Sequence, residues 1–419
     1  MTLYSVLSVT EKIDLDNVAA MKTTESSAAI DRIHEAEIIQ ALSAHGAMSR
    51  AELSESISLG RSALSVVLTR LMDNGTVVIA GTEKKDGRGR PSERLEIDAR
   101  GIAAIGIDCT HAGMHVIATS ITGAVLAEVD LRQEDDTWAA RGEMFDRAMV
   151  ELALQDDDLA PLRAVAIGLP GPIRLEHEWL DPEVPLDVDP DAAPEAFGSA
   201  ECLAFLRHIG STFGKRMMID NTVRFQAYAE HMAAENSNGA PTVYIRCFQG
   251  VGGAVVSSGG MVRGTTGMAG EIGHLMVNPG GRLCRCGRYG CLETVASTPF
   301  ITAKLAEMGL PLTTVEDIRD AYEDGDRQVK AVLEDVGDAL GLAILLAATM
   351  ADPARVIVSG EAVAMAPIVL NQAIARYHHD LGHRFTAVPV LRGRLGDEAG
   401  ATGAALAVIH HDLPALGAR

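Results

Sequence analysis

The chain is 419 residues long, 47% hydrophobic and 22% charged, with a formal net charge of −21 at pH 7. At roughly 100–200 residues per domain, that length predicts two or three domains with sizeable cores. The acidic balance argues against a general coat for nucleic acid, and no apolar run reaches the roughly eighteen residues that a membrane-spanning helix needs.

The charge is unevenly spread. Residues 31–100 carry 10 basic and 11 acidic side chains, against 24 and 42 over residues 101–419. Contact with DNA would therefore come from a local patch on the first segment, away from the acidic bulk. The opening MTLYSVLSVTEKIDLDNVAA has no basic stretch followed by a long apolar one, so no secretory signal is read there. The cytoplasm is the expected compartment, and there clustered cysteines point to metal or redox chemistry rather than to disulfides.

Residues 1–30 read as a flexible lead-in and residues 31–98 as a winged helix-turn-helix. EAEIIQALSAHG (35–46) puts Ile38, Ile39 and Leu42 on one helical face and stops at Gly46. Ser49 and Glu52 have the spacing of a capping box at the head of a short second helix, with Leu53 and Ile57 turned inward. After the break Ser58-Leu59-Gly60, Leu64, Val67, Leu68 and Leu71 recur at helical spacing, and Leu59 is placed to staple onto Leu64. The opposite face shows Arg61, Ser62, Ser65 and Thr69, short hydrogen-bonding groups with an arginine at the N-terminal end. A recognition helix presents such groups to the major groove. Strands around 77–79 and 94–97 flank GTEKKDGRGRPSE, whose tip carries Lys84, Lys85, Arg88 and Arg90. A basic hairpin of this kind suits phosphates or a narrow minor groove. A small helical dimerisation module with a solvated charged loop is the other reading of these residues.

Beyond Gly101 strands and helices alternate. IAAIGIDC (102–109), MHVIATSI (114–121) and AVLAEVDL are strand-like, a helix follows over 139–154, and AVAIGLPGPI (164–173) is an apolar strand ending in a Gly/Pro loop. KRMMIDN (215–221) leads into a helix over 223–235, and TVYIRCF with GVGGAVVSSGGMVRG reads as a hairpin. Helices after 298 and 327, a strand at 354–360 and a helix over 400–410 complete an α/β pattern, which gathers ligands at the carboxyl ends of its strands.

EIGH ends at His274, and Cys284, Cys286 and Cys291 follow in CRCGRYGCLE. Three thiolates and one imidazole make a closed tetrahedral shell for structural Zn²⁺, with Gly287 and Gly290 allowing sharp bends and Arg285 and Arg288 offsetting the thiolate charge. A reversible disulfide or merely buried thiols are the rivals, and neither accounts for the glycine spacing or the upstream histidine. Cys109, Cys202 and Cys247 are scattered and read as core residues.

EIGH…CRCGRYGCLE resembles the signature of the ROK family of repressors, open reading frames and kinases. AIGLPGPI, the Gly-rich 250–260 loop and GDEAGATGAAL extend the resemblance over residues 101 to about 410. The helix-turn-helix ahead of it resembles the repressor branch. The resemblance implies a two-lobed actin-like (ribonuclease H-like) domain, its first lobe over 101–230 plus 395–419 and its second over 231–394, with the zinc loop at 274–293. It also implies a sugar pocket in the cleft, touched by Glu271, His274 and Glu293 and held by Asn221. Carboxylates suit neighbouring hydroxyls, because a charged acceptor makes strong hydrogen bonds. A helix-start carboxylate bonded to its own backbone is the plainer reading of Glu293.

Where kinases of the family carry Asn-Asp-Ala-Asn, this chain has Asn221-Thr222-Val223-Arg224, so the base position is Thr222, which cannot take a proton at neutral pH as a carboxylate does. Asp220 is expected to point elsewhere by strand alternation. The phosphate loop reads Asp108-Cys109-Thr110-His111-Ala112 instead of Asp-x-Gly-Gly-Thr. Phe248 and Gln249 replace Gly-Thr, and the adenosine loop reads Ser359-Gly360-Glu361. Residues 174–197 do not resemble the segment that usually covers the sugar. The expectation is therefore a repressor without catalysis. It binds double-stranded operator DNA as a homodimer or homotetramer, and a sugar effector tunes that binding. An ATP-dependent sugar kinase with a DNA-binding head, or a DNA-binding regulator with a non-sugar ligand, are the alternatives.

Overall fold

The structure is a computed structural model, and it describes residues 33–83, 92–98, 100–132, 135, 137–154, 159, 162–171, 173, 179–180, 197–234, 240–257, 260–383, 385–396 and 399–412. Two compact units divide it between Ile97 and Asp98.

In the first unit, helix α1 (33–45) is followed by β1 (Met48–Ser49), α2 (Arg50–Ser56), α3 (Arg61–Asp73), β2 (Val77–Glu83) and β3 (Ser92–Ile97), with the strands ordered β1-β3-β2. Ile38, Ile39, Leu42, Leu53, Leu64, Val67, Leu68, Leu71, Val77 and Leu95 are its buried core. Helix α2 starts at the expected capping box: Ser49 Oγ accepts from the Glu52 amide and Glu52 accepts from the Ser49 amide. The break before α3 is closed by a bond from Ser54 Oγ to the Leu59 carbonyl, 2.7 Å, while Leu59 itself is half-buried. Pairing of β2 with β3 continues past a bulge between Ile79 and Gly81 to Glu83 and Ser92, so the wing is longer than the apolar residues alone predict. Its tip, with Lys84, Lys85, Arg88 and Arg90, lies outside the described residues, as does the lead-in 1–30.

The second unit is built on two sheets. The first orders β6 (Val125–Arg132), β5 (Gly113–Thr119), β4 (Ala104–Cys109), β7 (Ala164–Leu169), β9 (Met217–Asn221) and β8 (Trp179–Leu180). Strands β4, β5 and β6 are an antiparallel meander, and β7 and β9 run parallel to β4. The second orders β12 (Gly260–Met261), β11 (Val251–Ser257), β10 (Thr242–Cys247), β13 (Arg355–Ser359) and β14 (Val390–Arg392), again an antiparallel hairpin with parallel strands added to one side. Helices α4 (Trp138–Leu152) and α5 (Ala200–Phe213) share one apolar core with the first sheet. Helix α10 (Arg327–Ala351) packs on α12 (Pro367–Leu381) and shares the other core with the second sheet. The remaining helices are α6 (Thr222–Ala233), α7 (Glu293–Ala296), α8 (Thr298–Glu307), α9 (Val315–Glu323), α11 (Glu361–Met365) and α13 (Ala399–Asp412). Two cores, one per sheet, give the unit its two lobes.

Register places the site. Asp108 pairs with Gly168, and Gly168 with Asp220, so the carboxyl ends of β4, β7 and β9 lie side by side. The closing helix α13 packs so tightly beside α6 that a Cβ on Gly403 would stand 1.8 Å from the Phe225 carbonyl oxygen. Gly142, mid-way along α4, has nothing within 4 Å of its missing Cβ. Gly403→Ala is therefore expected to lower the melting temperature by at least about 2–4 °C. Gly142→Ala should leave it unchanged or add about 0.5–1 kcal/mol of stability, and calorimetry on both variants checks the contrast.

Candidate functional site

Helix α3 presents the first candidate surface. Arg61, Ser62, Ser65 and Thr69 are all exposed on the side away from the buried leucines. Thr69 Oγ1 donates back to the Ser65 carbonyl at 2.8 Å, which leaves its hydroxyl oxygen as an acceptor. Val66 stands among them at 65% exposure. Sequence reasoning passed over Val66, although a large apolar residue among polar ones is the visible signal, and an apolar group there suits a thymine methyl. Arg94, in the central strand β3, ties the elements of this unit together, its guanidinium meeting Glu52 of α2 at 2.8 Å, Glu83 of β2 at 3.3 Å and the Ala47 carbonyl.

In the second unit the side chains of His274, Cys284, Cys286 and Cys291 converge, with one ligand atom from each lying within 4.8 Å of the others. His274 Nδ1 is 3.6 Å from Cys284 Sγ, and Cys286 Sγ is 3.6 Å from Cys291 Sγ. Bonds of about 2.3 Å to sulfur and about 2.0–2.1 Å to nitrogen space the corners of a metal tetrahedron about 3.5–3.8 Å apart. The donor set therefore fits a tetrahedral metal ion. The loop is shaped for it by its own backbone: Leu283 bridges Tyr289, Met276 bridges Cys291, and the Cys284 amide donates to the Arg288 carbonyl at 2.8 Å. Gly287 and Gly290 turn the chain at φ 84° and 72°, as their spacing predicts.

The Arg288 amide, and after it the guanidinium, lowers the Cys286 thiol to about 7. Burial pushes Cys284 up, and it pushes Cys291 up to about 12. A cation among the sulfurs would favour the thiolate at all three. Only one of the two arginines serves the sulfurs as expected. Arg285 instead forks onto Glu293, Nε to Oε1 and Nη2 to Oε2, both at 2.8 Å. Glu293 is buried at the start of α7, and its Oε2 also accepts from the Val251 amide at 3.2 Å. Glu271 is half-buried, and among the described residues its carboxylate has no hydrogen-bond or ion-pair partner. Gly273, in the turn between Glu271 and His274, lets these parts meet, because a Cβ there would fall 1.8 Å from the carbonyl oxygen of Val251 at the start of β11.

At the end of β9, Asn221 caps α6: Oδ1 accepts from the Val223 amide at 2.7 Å and Nδ2 donates to the Gly171 carbonyl. Thr222 Oγ1 donates to Asp108 Oδ1 at 2.8 Å. Asp220 is buried between two guanidinium groups, Arg224 Nη1 at 2.8 Å and Arg263 Nε at 2.5 Å. Arg224 also reaches the carbonyls of Gly267 and of Ala269, the latter at 3.1 Å. Asp220 and Thr222 do part, but not by strand alternation, which puts residues i and i+2 on one face: the strand ends at Asn221 and Thr222 already belongs to α6, while Asp220 meets an arginine pair that sequence reasoning missed. On the second sheet Arg246 lies 4.3 Å over the Phe248 ring, and Thr298 Oγ1 donates to Glu361 Oε2 at 2.6 Å.

An actin-like α/β unit with a Cys₃His loop beside its cleft, joined to a winged helix-turn-helix, defines a class, and the comparisons agree. The ROK family model matches residues 104–411, and the chain belongs to the ROK family. The N-acetylglucosamine repressor of Escherichia coli O157:H7 is 25% identical over 391 residues, covering 90% of this chain and 92% of that protein. The xylose repressor of Bacillus subtilis (strain 168) is 23% identical over 392 residues, covering 92% and 97%. The crystal structure of a ROK family transcriptional regulator, a homolog of the E. coli MLC protein, superposes with a TM-score of 0.70 at 23% identity, covering 93% of this chain and 98% of that one. A ROK hexokinase from Thermus thermophilus shares the fold over 73% of this chain and 97% of its own, with a TM-score of 0.59 and 23% identity.

Asp220→Ala would leave Arg224, with 3% of its side chain exposed, as an uncompensated buried cation. Removing one partner of such a pair costs about 3–5 kcal/mol. Urea denaturation should show a loss of that size, and a smaller one for Asp220→Asn, which keeps one acceptor oxygen.

Proposed function

We propose that this protein is a transcriptional repressor of sugar-utilisation genes whose operator affinity is set by a sugar or sugar derivative in a kinase-like cleft that performs no catalysis. One observation carries the reading: a helix with an exposed Arg/Ser/Thr face is joined to an actin-like unit whose base position is Thr222, its hydroxyl bonded to Asp108 at 2.8 Å. A threonine hydroxyl does not accept a proton at neutral pH, so nothing at that position activates a sugar hydroxyl. The names of the relatives point the same way, one reporting N-acetylglucosamine and one xylose.

Residues 31–98 act as the DNA-binding domain, with Arg61, Ser62, Ser65 and Thr69 at base edges and Lys84, Lys85, Arg88 and Arg90 on phosphates or in the minor groove. Residues 101–230 with 395–419, and residues 231–394, act as the two lobes around the effector. Glu271, His274, Glu293 and Asn221 face the sugar. Glu271 is the carboxylate among these without a described partner, as a ligand-facing acceptor should be. His274 with Cys284, Cys286 and Cys291 hold Zn²⁺ as a structural ion. Nδ1 lies next to the sulfur, and Nε2 remains as a hydrogen-bonding group. The chain acts in the cytoplasm as a homodimer or homotetramer, because paired half-sites about one helical turn apart need at least two heads. Among the described residues no helix is long and apolar enough to cross a membrane. A sugar that binds one arrangement of the lobes better shifts the population toward it and with it the spacing of the heads.

Elemental analysis should find one zinc per chain, and Cys291→Ser should lower both the zinc content and the melting temperature. Selection from random duplexes should return a two-fold repeated motif, and fluorescence anisotropy on it should change when the effector is added. Titration calorimetry against monosaccharides and their phosphates should find one that binds, with at least about tenfold weaker binding in Glu271→Ala, the loss expected for one charge-assisted hydrogen bond. No binding by any of them would discard the effector, and transfer of phosphate from ATP to a sugar would make the protein a kinase.

A further inference from the structure

Glu293 bears directly on which ligands the cleft accepts. A carboxylate offers about four lone-pair positions. Three donors face this one: Arg285 Nε and Nη2 at 2.8 Å each and the Val251 amide at 3.2 Å; Cys284 Sγ, 3.6 Å away, would be a thiolate on the metal with no proton to give. One acceptor position is left, so a sugar can bond the carboxylate through two hydroxyls only by displacing a donor. Val251 is fixed in β11 and Cys284 is buried in the metal loop. Arg285 differs from both, with 69% of its side chain exposed against 4% for Glu293. Gly250 leaves the space its guanidinium occupies, since a Cβ there would lie 2.8 Å from Nη2 and 2.9 Å from Glu293 Oε2.

We propose that Arg285 is a displaceable stand-in for the effector: it satisfies Glu293 while the cleft is empty and swings into solvent when ligand enters. The inference rests on the sugar-effector reading above and narrows its ligand class. The departing fork makes two parallel N–H···O bonds, so the ligand must return two donors together. That requirement selects a sugar with two free neighbouring hydroxyls and rejects one in which either is removed or capped, because a buried carboxylate would then be left short of a partner. The latch also weakens binding, since apparent affinity falls by the fraction of molecules in which Glu293 is open.

Titration calorimetry on the full-length protein tests this, with D-glucose, D-xylose, N-acetyl-D-glucosamine and their terminal phosphates as probes. For the best binder, Arg285→Ala should tighten binding by about tenfold or more, as removal of a latch closed in some nine molecules of ten would. Arg285→Lys, a cation without the fork, should fall between, and Arg282→Ala, which removes an arginine paired with Glu307 instead, should bind as the parent does. The empty Arg285→Ala protein should melt lower than the parent and gain more from ligand. Equal or weaker binding by Arg285→Ala, with the parent binding normally, overturns the latch and leaves the effector reading standing. No binding by either protein overturns both.

Discussion

A carboxylate held between two guanidinium groups determines where the rest of the cleft stands. Asp220 is the penultimate residue of β9 on the first sheet, while Arg263 and the carbonyls that Arg224 grips belong to the segment running from β12 toward Glu271 on the second. The ionic cluster thus ties the last residue before the Asn221 cap to the approach of the metal loop. Burying Asp220 and Arg224, with Arg263 half-buried beside them, costs desolvation that their mutual attraction only partly offsets, so stability alone is a poor reason for such a cluster. What it supplies is position. Arg224 cannot leave Asp220 without becoming a bare buried cation, and the Gly267–Ala269 backbone cannot drift without losing Arg224.

The metal loop continues the same constraint by other means. Four residues of α7 begin at Glu293, too short a helix to hold its own place. The loop ahead of it is closed by backbone bridges at Leu283–Tyr289 and Met276–Cys291, and Cys291 lies two residues from Glu293. A tetrahedral ion among the four donors would convert this loop into a rigid mount for Glu293, so that the carboxylate meets its partner at no further cost in ordering. The metal and the carboxylate are therefore best understood as one unit, which is why glycines, cysteines and Glu293 lie within ten residues of chain.

Much of this was legible in the chain because each feature has a local signature. The inward leucines of α3, the Ser49/Glu52 capping box and the Cys-x-Cys spacing each depend on residues a few positions apart. The parts that were not legible depend on partners far apart in sequence. Arg285 reads as a counter-charge for nearby thiolates, and only the fold brings Glu293 and the Val251 amide within its reach. Arg224 is an ordinary helix residue until Gly267 and Ala269 come round to it, 43 and 45 residues on. The wing was underestimated for a related reason: beyond Ile79 β2 is exposed, so no apolar alternation marks strands that backbone pairing alone sustains.

The Thr222–Asp108 bond shows how small a change alters the chemistry at the inner end of such a cleft. Two carboxylates at these positions, within hydrogen-bonding distance of each other, would repel, and one of them would hold its proton more tightly, the condition from which acid–base chemistry starts. With a hydroxyl at one position the repulsion becomes a 2.8 Å hydrogen bond between buried partners. The exchange leaves one carboxylate where two would compete for a proton. On the repressor reading proposed above, movement of the lobes is driven by differential binding of the ligand to two arrangements, which is the currency in which a DNA-binding head can be read out.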